Sequence, residues 1–278
     1  MLRQVATLLR GSPSKAIVGT RQNSIYANLK RFYKSVSVAD DSDGNGNPSF
    51  AILLDNRRLK SLGGNVLKVD SEPLALAIAT EWDAQKEHIN KTHMRLTGLA
   101  FTALDNPFHE TKETLTDKIM EFLDTDTLLY FADEQESLVD LQKEKWAPVI
   151  KGVNDNHGID IRATQSIMDT PQISDEDRLR IQRWLLSHNF WALHGLQYGV
   201  EAAKSMMAMM ALNSHQITVE EAAEAARLEQ IYQTKIWGNV EWSHDIEHQE
   251  LCTRLSAAVL FTYFNSNHAI VKKHEASA

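Results

Sequence analysis

The sequence predicts an α+β protein, with a small β-rich N-terminal domain followed by a larger all-α C-terminal domain. Three observations carry that expectation. Between Phe50 and Val69, short apolar runs alternate with turn dipeptides. At Ser71 the apolar spacing changes from twos to threes and fours, and from there to the C-terminus capping residues precede apolar-periodic stretches. The expected divisions are residues 1–33 for a targeting segment, 34–90 for the β-containing domain and 91–278 for the helical domain. With 278 residues, 43% of them hydrophobic, the composition can supply a proper core.

The first stretch stands apart by charge. Arg3, Arg10, Lys15, Arg21, Lys30, Arg31 and Lys34 precede Asp40, the first acidic residue of the chain. On a helix Leu2, Val5, Ala6 and Leu9 share one face and Arg3, Thr7 and Arg10 another, with Ser residues following. An acid-free, Arg- and Ser-containing amphipathic start is the pattern of a mitochondrial presequence, and Arg31-Phe32-Tyr33 resembles a matrix-peptidase site that would set the new N-terminus near Lys34. Removal of 1–33 makes a chain of net charge −8 more acidic still. Such a surface suits a neutral or basic protein partner and argues against nucleic acid. Cys252 is the single cysteine, which excludes an internal disulfide framework and a Cys-rich zinc site, and fits a reducing matrix.

Asp41-Ser-Asp-Gly-Asn-Gly46 matches the opening of an EF-hand calcium loop, but position twelve, where a bidentate Glu belongs, is Ile52; a turn-rich connection is the expectation. Strands are expected at Phe50–Leu54, Arg58–Lys60 and Val66–Val69, joined by turns at Asp55-Asn56 and Gly63-Gly64, with Val36–Val38 and Ile159–Ile161 as candidates to extend the sheet. From Ser71 a helix is expected to carry Leu74, Ile78, Trp82, Gln85 and Ile89 on one stripe, making Trp82 a core anchor. Further helices are expected over Lys112–Phe122 and Glu134–Ile150, and after the capping Ser174.

The apolar passage from Phe190 to Leu212 is long enough to raise a membrane span, but Glu201 and Lys204 stand in it, each costing about 2.5–3.5 kcal/mol at a bilayer centre. A central helix of a soluble bundle is expected instead, with Met206, Met207, Met209 and Met210 as core filler or, alternatively, an adaptable binding surface. Beyond it, Thr218 to Phe264 reads as two helices hinged at Gly238, the first opened by a capping box of Thr218 and Glu221. Glu220, Glu221 and Glu224 fall on one side of that helix and Val219, Ala222, Ala223 and Ala226 on the other. Glu229 projects into the apolar arc, with Gln233 one turn later. A carboxylate so placed either locks two helices internally or belongs to a surface that another protein covers.

One catalytic pattern occurs. His244-Asp-Ile-Glu-His248 satisfies H-x-x-E-H, in which two His one turn apart hold zinc and Glu activates water, so a zinc-dependent hydrolase is the enzymatic alternative. Against it, the last 30 residues contain only two acids, Glu250 two residues on from the pentad and Glu275 in the polar tail, and both His lie along the face of Leu251, Leu255 and Val259. Phosphate-cradling and nucleophile-elbow motifs are absent from the sequence.

Four passages together carry a resemblance: Leu53-Leu-Asp-Asn-Arg-Arg-Leu-Lys60, Leu74-Ala-Leu-Ala-Ile-Ala-Thr-Glu-Trp-Asp-Ala-Gln85, Met94-Arg-Leu-Thr-Gly-Leu-Ala-Phe-Thr-Ala-Leu-Asp105, and the run from Leu228 to Asp245. In this order they resemble the mitochondrial chaperones that bind the alpha subunit of the catalytic sector of ATP synthase, the ATP synthase assembly factor 2 family. The resemblance implies a β-rich domain followed by a helical one, no catalysis, no cofactor, and a matrix protein that holds newly imported alpha subunits soluble until the beta subunit replaces it. A carboxylate in the C-terminal segment matters in that family; Glu229 and Glu241 are the matching positions, and the helical-wheel position favours Glu229. The candidate docking residues are thus Glu229, Gln233, Trp237, Glu241 and Asp245, with Trp82 and Gly238 in structural roles. A matrix adaptor for another complex remains the non-enzymatic alternative.

Overall fold

The computed structural model describes residues 29–42, 47–166 and 168–275, the last nine of these in backbone only. The presequence expected over 1–33 therefore lies, up to Asn28, outside the described residues, as do the central residues 43–46 of the calcium-like loop. Asp41 at the head of that loop instead pairs with Arg58 and Lys68, each at 2.6 Å.

A four-stranded antiparallel sheet is built around β2 (Phe50–Leu54). On one side it pairs with β1 (Val36–Asp40), in register from Val36 opposite Leu54 to Asp40 opposite Phe50. On the other it meets β3 (Arg57–Arg58) and β4 (Lys68–Val69) at its two ends. The β2–β3 turn is the two-residue Asp55-Asn56, both at positive φ (46° and 68°), the backbone hand that matches the twist of a hairpin. The Asp55 carboxylate also accepts from the backbone N–H of Lys34 and Ser35 at 2.9 and 2.8 Å, pinning the start of β1 to the turn. Ile159–Ile161 does not join this sheet. Its two isoleucines pack into the helical core, and the Ile161 backbone is satisfied by the Asn154 side chain.

Helix α1 (Glu72–Asp83) covers the sheet with Leu74, Ala75, Ile78, Ala79 and Trp82. It ends six residues before Ile89, because the Gln85 side chain turns back to the Glu81 carbonyl and accepts from the Asn90 N–H. Glu81 has a second task. Its carboxylate accepts from the N–H groups of Leu96 and Thr97, both at 2.8 Å, and from the Thr97 hydroxyl. It thereby caps α2 (Arg95–Asp105), whose own N-cap residue Met94 offers no side-chain acceptor. Burial raises the Glu81 pKa against these bonds. Asp105, at the far end of α2, binds the Gly63 N–H and the Asn65 amide and so holds the loop before β4.

Residues before β1 are part of this layer. Tyr33 is 4% exposed, its ring packs on Trp82 at 5.7 Å and its hydroxyl donates to the Trp82 carbonyl at 2.6 Å. The Arg31 guanidinium donates to the carbonyls of Asp83 and Gln85 at the C-terminus of α1, where the helix dipole favours a cation. Leu29, Lys30 and Arg31 run antiparallel to Glu87–Ile89, with the Ile89 N–H bonded to the Leu29 carbonyl and the Arg31 N–H to the Glu87 carbonyl.

The helical part comprises α3 (Lys112–Glu121), α4 (Glu136–His157), α5 (Asp175–Ser187), α6 (Phe190–Ala203), α7 (Met206–Asn213), α8 (Val219–Ala226), α9 (Leu228–Trp237) and α10 (Ser243–Glu275). Helix α4 runs through Pro148 and past the expected end at Ile150, stopping at Gly158 with φ +63°. The passage expected as one central helix is two, broken at Lys204 (φ +54°) and restarted by Ser205, whose hydroxyl accepts from the Ala208 N–H. A fully buried carboxylate, Asp126, drives the break by accepting from the N–H of Met207 at 2.8 Å and of Leu128 at 2.9 Å. All four methionines of α7 are buried, so they are core. Among the described residues no helix is long and apolar enough to cross a membrane.

Helix α10 joins the two cores. Leu255 and Ala258 belong to the helical cluster, Ala257 and Phe261 to the sheet-side cluster. Its approach to α6 is close: a Cβ on Gly195 would stand 3.0 Å from the Ala258 carbonyl oxygen and the Thr262 nitrogen, backbone atoms that cannot swing away.

Candidate docking surface

The segment from Thr218 to Trp237 forms two helices where one was expected. The Thr218–Glu221 capping box is present, with reciprocal bonds of 3.2 and 2.7 Å. Arg227, at φ −113° and ψ 13°, then breaks the helix. Alanines 222, 223 and 225 stay in the core, whereas Leu228 is the only fully buried residue of α9. The arc that the helical wheel extended from Ala222 to Ile236 therefore leaves the core at the break, and Ile236 is exposed.

Three contacts hold α9 in place. The Gln142 amide of α4 donates to Glu229 at 2.9 Å, while its oxygen accepts from the Ala132 N–H. The hydroxyls of Tyr232 and Ser137 meet at 2.5 Å. Arg227 and Gln230 bind each other at 2.9 Å and both reach Glu247 of α10, at 3.4 and 2.9 Å. Glu229 thus combines both expected environments, being tied to a buried glutamine and yet exposed.

Glu229, Gln233 and Trp237 recur every four residues and make one stripe along α9, all exposed. Beyond Trp237 the chain turns at Gly238, φ +89°, and again at Trp242, φ +70°, an uncommon conformation for a bulky side chain. The His244 imidazole fastens this loop through Nδ1, which faces both the Asn239 side chain and, at 3.2 Å, the Val240 nitrogen. Glu241 lies in the loop and Asp245 in the first turn of α10, both exposed.

The loop brings together apolar side chains that sequence reasoning left out of the candidate set. Ile236, Val240, Trp242 and Ile246 are all more than half exposed, as is Trp237 at 75%. Six residues contain two tryptophans without the helical spacing that would bury them, and that was the available signal. Beside this knuckle, the turn of chain from the end of α9 into the start of α10, helices α4, α8 and α9 enclose a groove of about 720 Å³ with Leu141, Val149, Ile217, Leu228 and Ile231 in its lining. Exposed apolar side chains this close in the chain make the segment a candidate for a protein contact, in which tryptophan is a frequent energetic anchor.

The HDIEH pentad forms the first turns of α10. His248 Nε2 faces Cys252 Sγ at 3.6 Å and His244 Nδ1 is engaged in the loop. Among the described residues no three His, Cys, Asp or Glu side chains are grouped so as to hold a metal ion.

Comparison with known proteins adds to this geometry. Residues 30–154 match the family described as ATP12 chaperone protein. The protein atp12, mitochondrial, of Schizosaccharomyces pombe is 31% identical over 84% of this chain and 82% of its own length. The ATP12 protein of Saccharomyces cerevisiae, also named mitochondrial, is 25% identical over 88% of this chain and 87% of its own. The crystal structure of Atp12 from Paracoccus denitrificans superposes with a TM-score of 0.75 at 26% identity, covering 85% of this chain and 98% of that one.

Proposed function

This chain belongs to the ATP12 chaperone family, and from that membership we propose that, in assembly of the mitochondrial F-type ATP synthase, it binds the unassembled alpha subunit of the catalytic sector in the matrix. It acts without catalysis, through the α9–α10 knuckle. The observation that carries this reading is the exposed cluster of Ile236, Trp237, Val240, Trp242 and Ile246 beside the Glu229 stripe.

The physical task is the protection of sticky surface. An isolated alpha subunit exposes the apolar face that beta covers in the assembled sector, and such a face aggregates. A chaperone that covers it lowers the concentration of the free form by mass action. To be displaced, it must bind more weakly than beta, and each 1.4 kcal/mol of difference shifts the exchange about tenfold. The tryptophans supply contact area. Glu229, with one oxygen already bonded to Gln142, brings a carboxylate that rewards a basic or amide partner and penalises an apolar one, fixing register while limiting affinity.

Replacing Trp237 and Trp242 together by Ser is expected to weaken alpha binding by about 2 kcal/mol or more, roughly thirtyfold. Because both side chains are more than two-thirds exposed, thermal stability should change little. Glu229→Gln and Glu229→Ala should alter binding or handover to beta. The check is the yield of soluble alpha subunit when each variant is co-produced with it. A yield equal to that of the parent chain for all three variants would remove the knuckle from the interface.

A further inference from the structure

A second apolar trough lies on the sheet side. About 830 Å³ of space opens between the segment before β1, the β3 region and α2, with Tyr33, Trp82, Met94 and Phe101 among its lining. Its rim is also apolar: Leu29, Phe32 and Leu62 are 50, 65 and 84% exposed. It shares Lys91, Met94, Gly98 and Thr102 with an adjoining cavity of about 580 Å³ that carries the exposed Phe108, so the two run together along α2.

Gly98 lies in the shared wall. It is the fourth residue of α2, already within the hydrogen-bonded helix, where glycine costs up to about 1 kcal/mol relative to alanine. It has an ordinary φ, and a Cβ built on it meets no atom within 4 Å. Neither local backbone nor packing demands a glycine there, and its effect is to leave the floor of the trough bare. The cations are distinctive too. In an acidic protein this rim collects Arg57, Lys60 and Lys91, and among the described residues none of the three makes an ion pair; Asp55, the carboxylate in the lining of the larger trough, is spent on backbone N–H groups, and of the two in the adjoining cavity Glu110 pairs with Lys118 and Glu201 accepts from Gln197.

We propose that this trough receives an extended segment of a partner protein in which apolar side chains alternate with carboxylates. The chain's own residues 1–28 have the wrong charge, with four basic residues and no acid. A small amphiphile would leave the exposed Phe32, Leu62 and Phe108 uncovered, whereas a peptide laid over Gly98 covers them. The site is separate from the α9–α10 knuckle and does not depend on it.

The test is fluorescence anisotropy of a labelled synthetic peptide of alternating Leu and Glu, with a Leu–Lys peptide as control, titrated with the full chain. Gly98→Leu should weaken the Leu–Glu peptide about tenfold or more while leaving the melting temperature unchanged or higher, since a helix-favouring side chain enters open space. Arg57→Glu with Lys60→Glu should weaken it similarly, and the Leu–Lys peptide should bind worse than Leu–Glu. Equal affinity of the Leu–Glu peptide for all three proteins overturns the proposal. So does self-association that Gly98→Leu abolishes, which would make the occupant a second copy, or uptake of a long-chain fatty acid probe without peptide binding.

Discussion

A chain that begins at Lys34 should melt about 10 °C or more below one that begins at Asn28. The shorter chain lacks Tyr33, whose ring is buried against Trp82 and whose hydroxyl holds the Trp82 carbonyl. Deleting a buried aromatic side chain costs about 3–5 kcal/mol, and in a protein of this size each 1 kcal/mol shifts the melting point by about 2–4 °C. Loss of Arg31 also uncovers the C-terminal carbonyls of α1. Tyr33→Ala in the longer chain should reproduce most of the drop, because Tyr33 is the one fully buried aromatic of the lost segment. The check is thermal unfolding of the three proteins side by side, and equal midpoints would mean that Leu29–Tyr33 contribute nothing to the fold. The Arg31-Phe32-Tyr33 motif made a cut before Lys34 attractive from the sequence. The bonds at Leu29, Arg31 and Tyr33 are what such a cut would remove.

Asp126→Asn should destabilise the protein by about 3 kcal/mol near pH 4, the order expected when a buried donor loses its acceptor. Asp126 is fully buried and offers one oxygen to Leu128 and the other to Met207, so the amide nitrogen of Asn must face a backbone N–H whichever way it turns. The pH dependence follows from the direction of the pKa shift. Burial, partly opposed by the bonds from Ser205 and the backbone N–H groups, raises the Asp126 pKa to about 6, against about 3.9 in an unfolded chain. The stability associated with the protonated form is therefore complete below about pH 4 and is lost as pH rises to about 6. Asn does not titrate. The deficit of Asp126→Asn should thus narrow by about 2 kcal/mol between pH 4 and pH 7.5, measurable as urea-unfolding free energies at the two values. A deficit independent of pH would mean that Asp126 is ionised throughout.

What the sequence revealed was periodicity and local caps; what it hid was contact across distance. The Asp55-Asn56 hairpin, the Thr218–Glu221 box and the burial of Trp82 were legible because each depends on residues adjacent in the chain or on a single helical stripe. The break between α6 and α7 was not. An apolar run that includes Met206 to Met210 reads as continuous helix, and it is interrupted by a carboxylate some eighty residues upstream. The same holds for Glu81, whose capping of α2 links two of the passages that carried the family resemblance. The α9 stripe was visible as Glu229, Gln233 and Trp237, but the wheel assumed a straight helix through Arg227 and so set Ile236 on a buried arc. Periodicity reports which residues share a face, and only packing decides which face meets the core.

A selective, stoichiometric hold on the alpha subunit is measurable by light scattering coupled to size-exclusion chromatography. The chain beginning at Asn28 would be mixed with separately produced alpha or beta subunit. The expected result is a soluble one-to-one complex with alpha, none with beta, and release of this chain when beta is added to the alpha complex. No complex with alpha, or an equally strong one with beta, would contradict it.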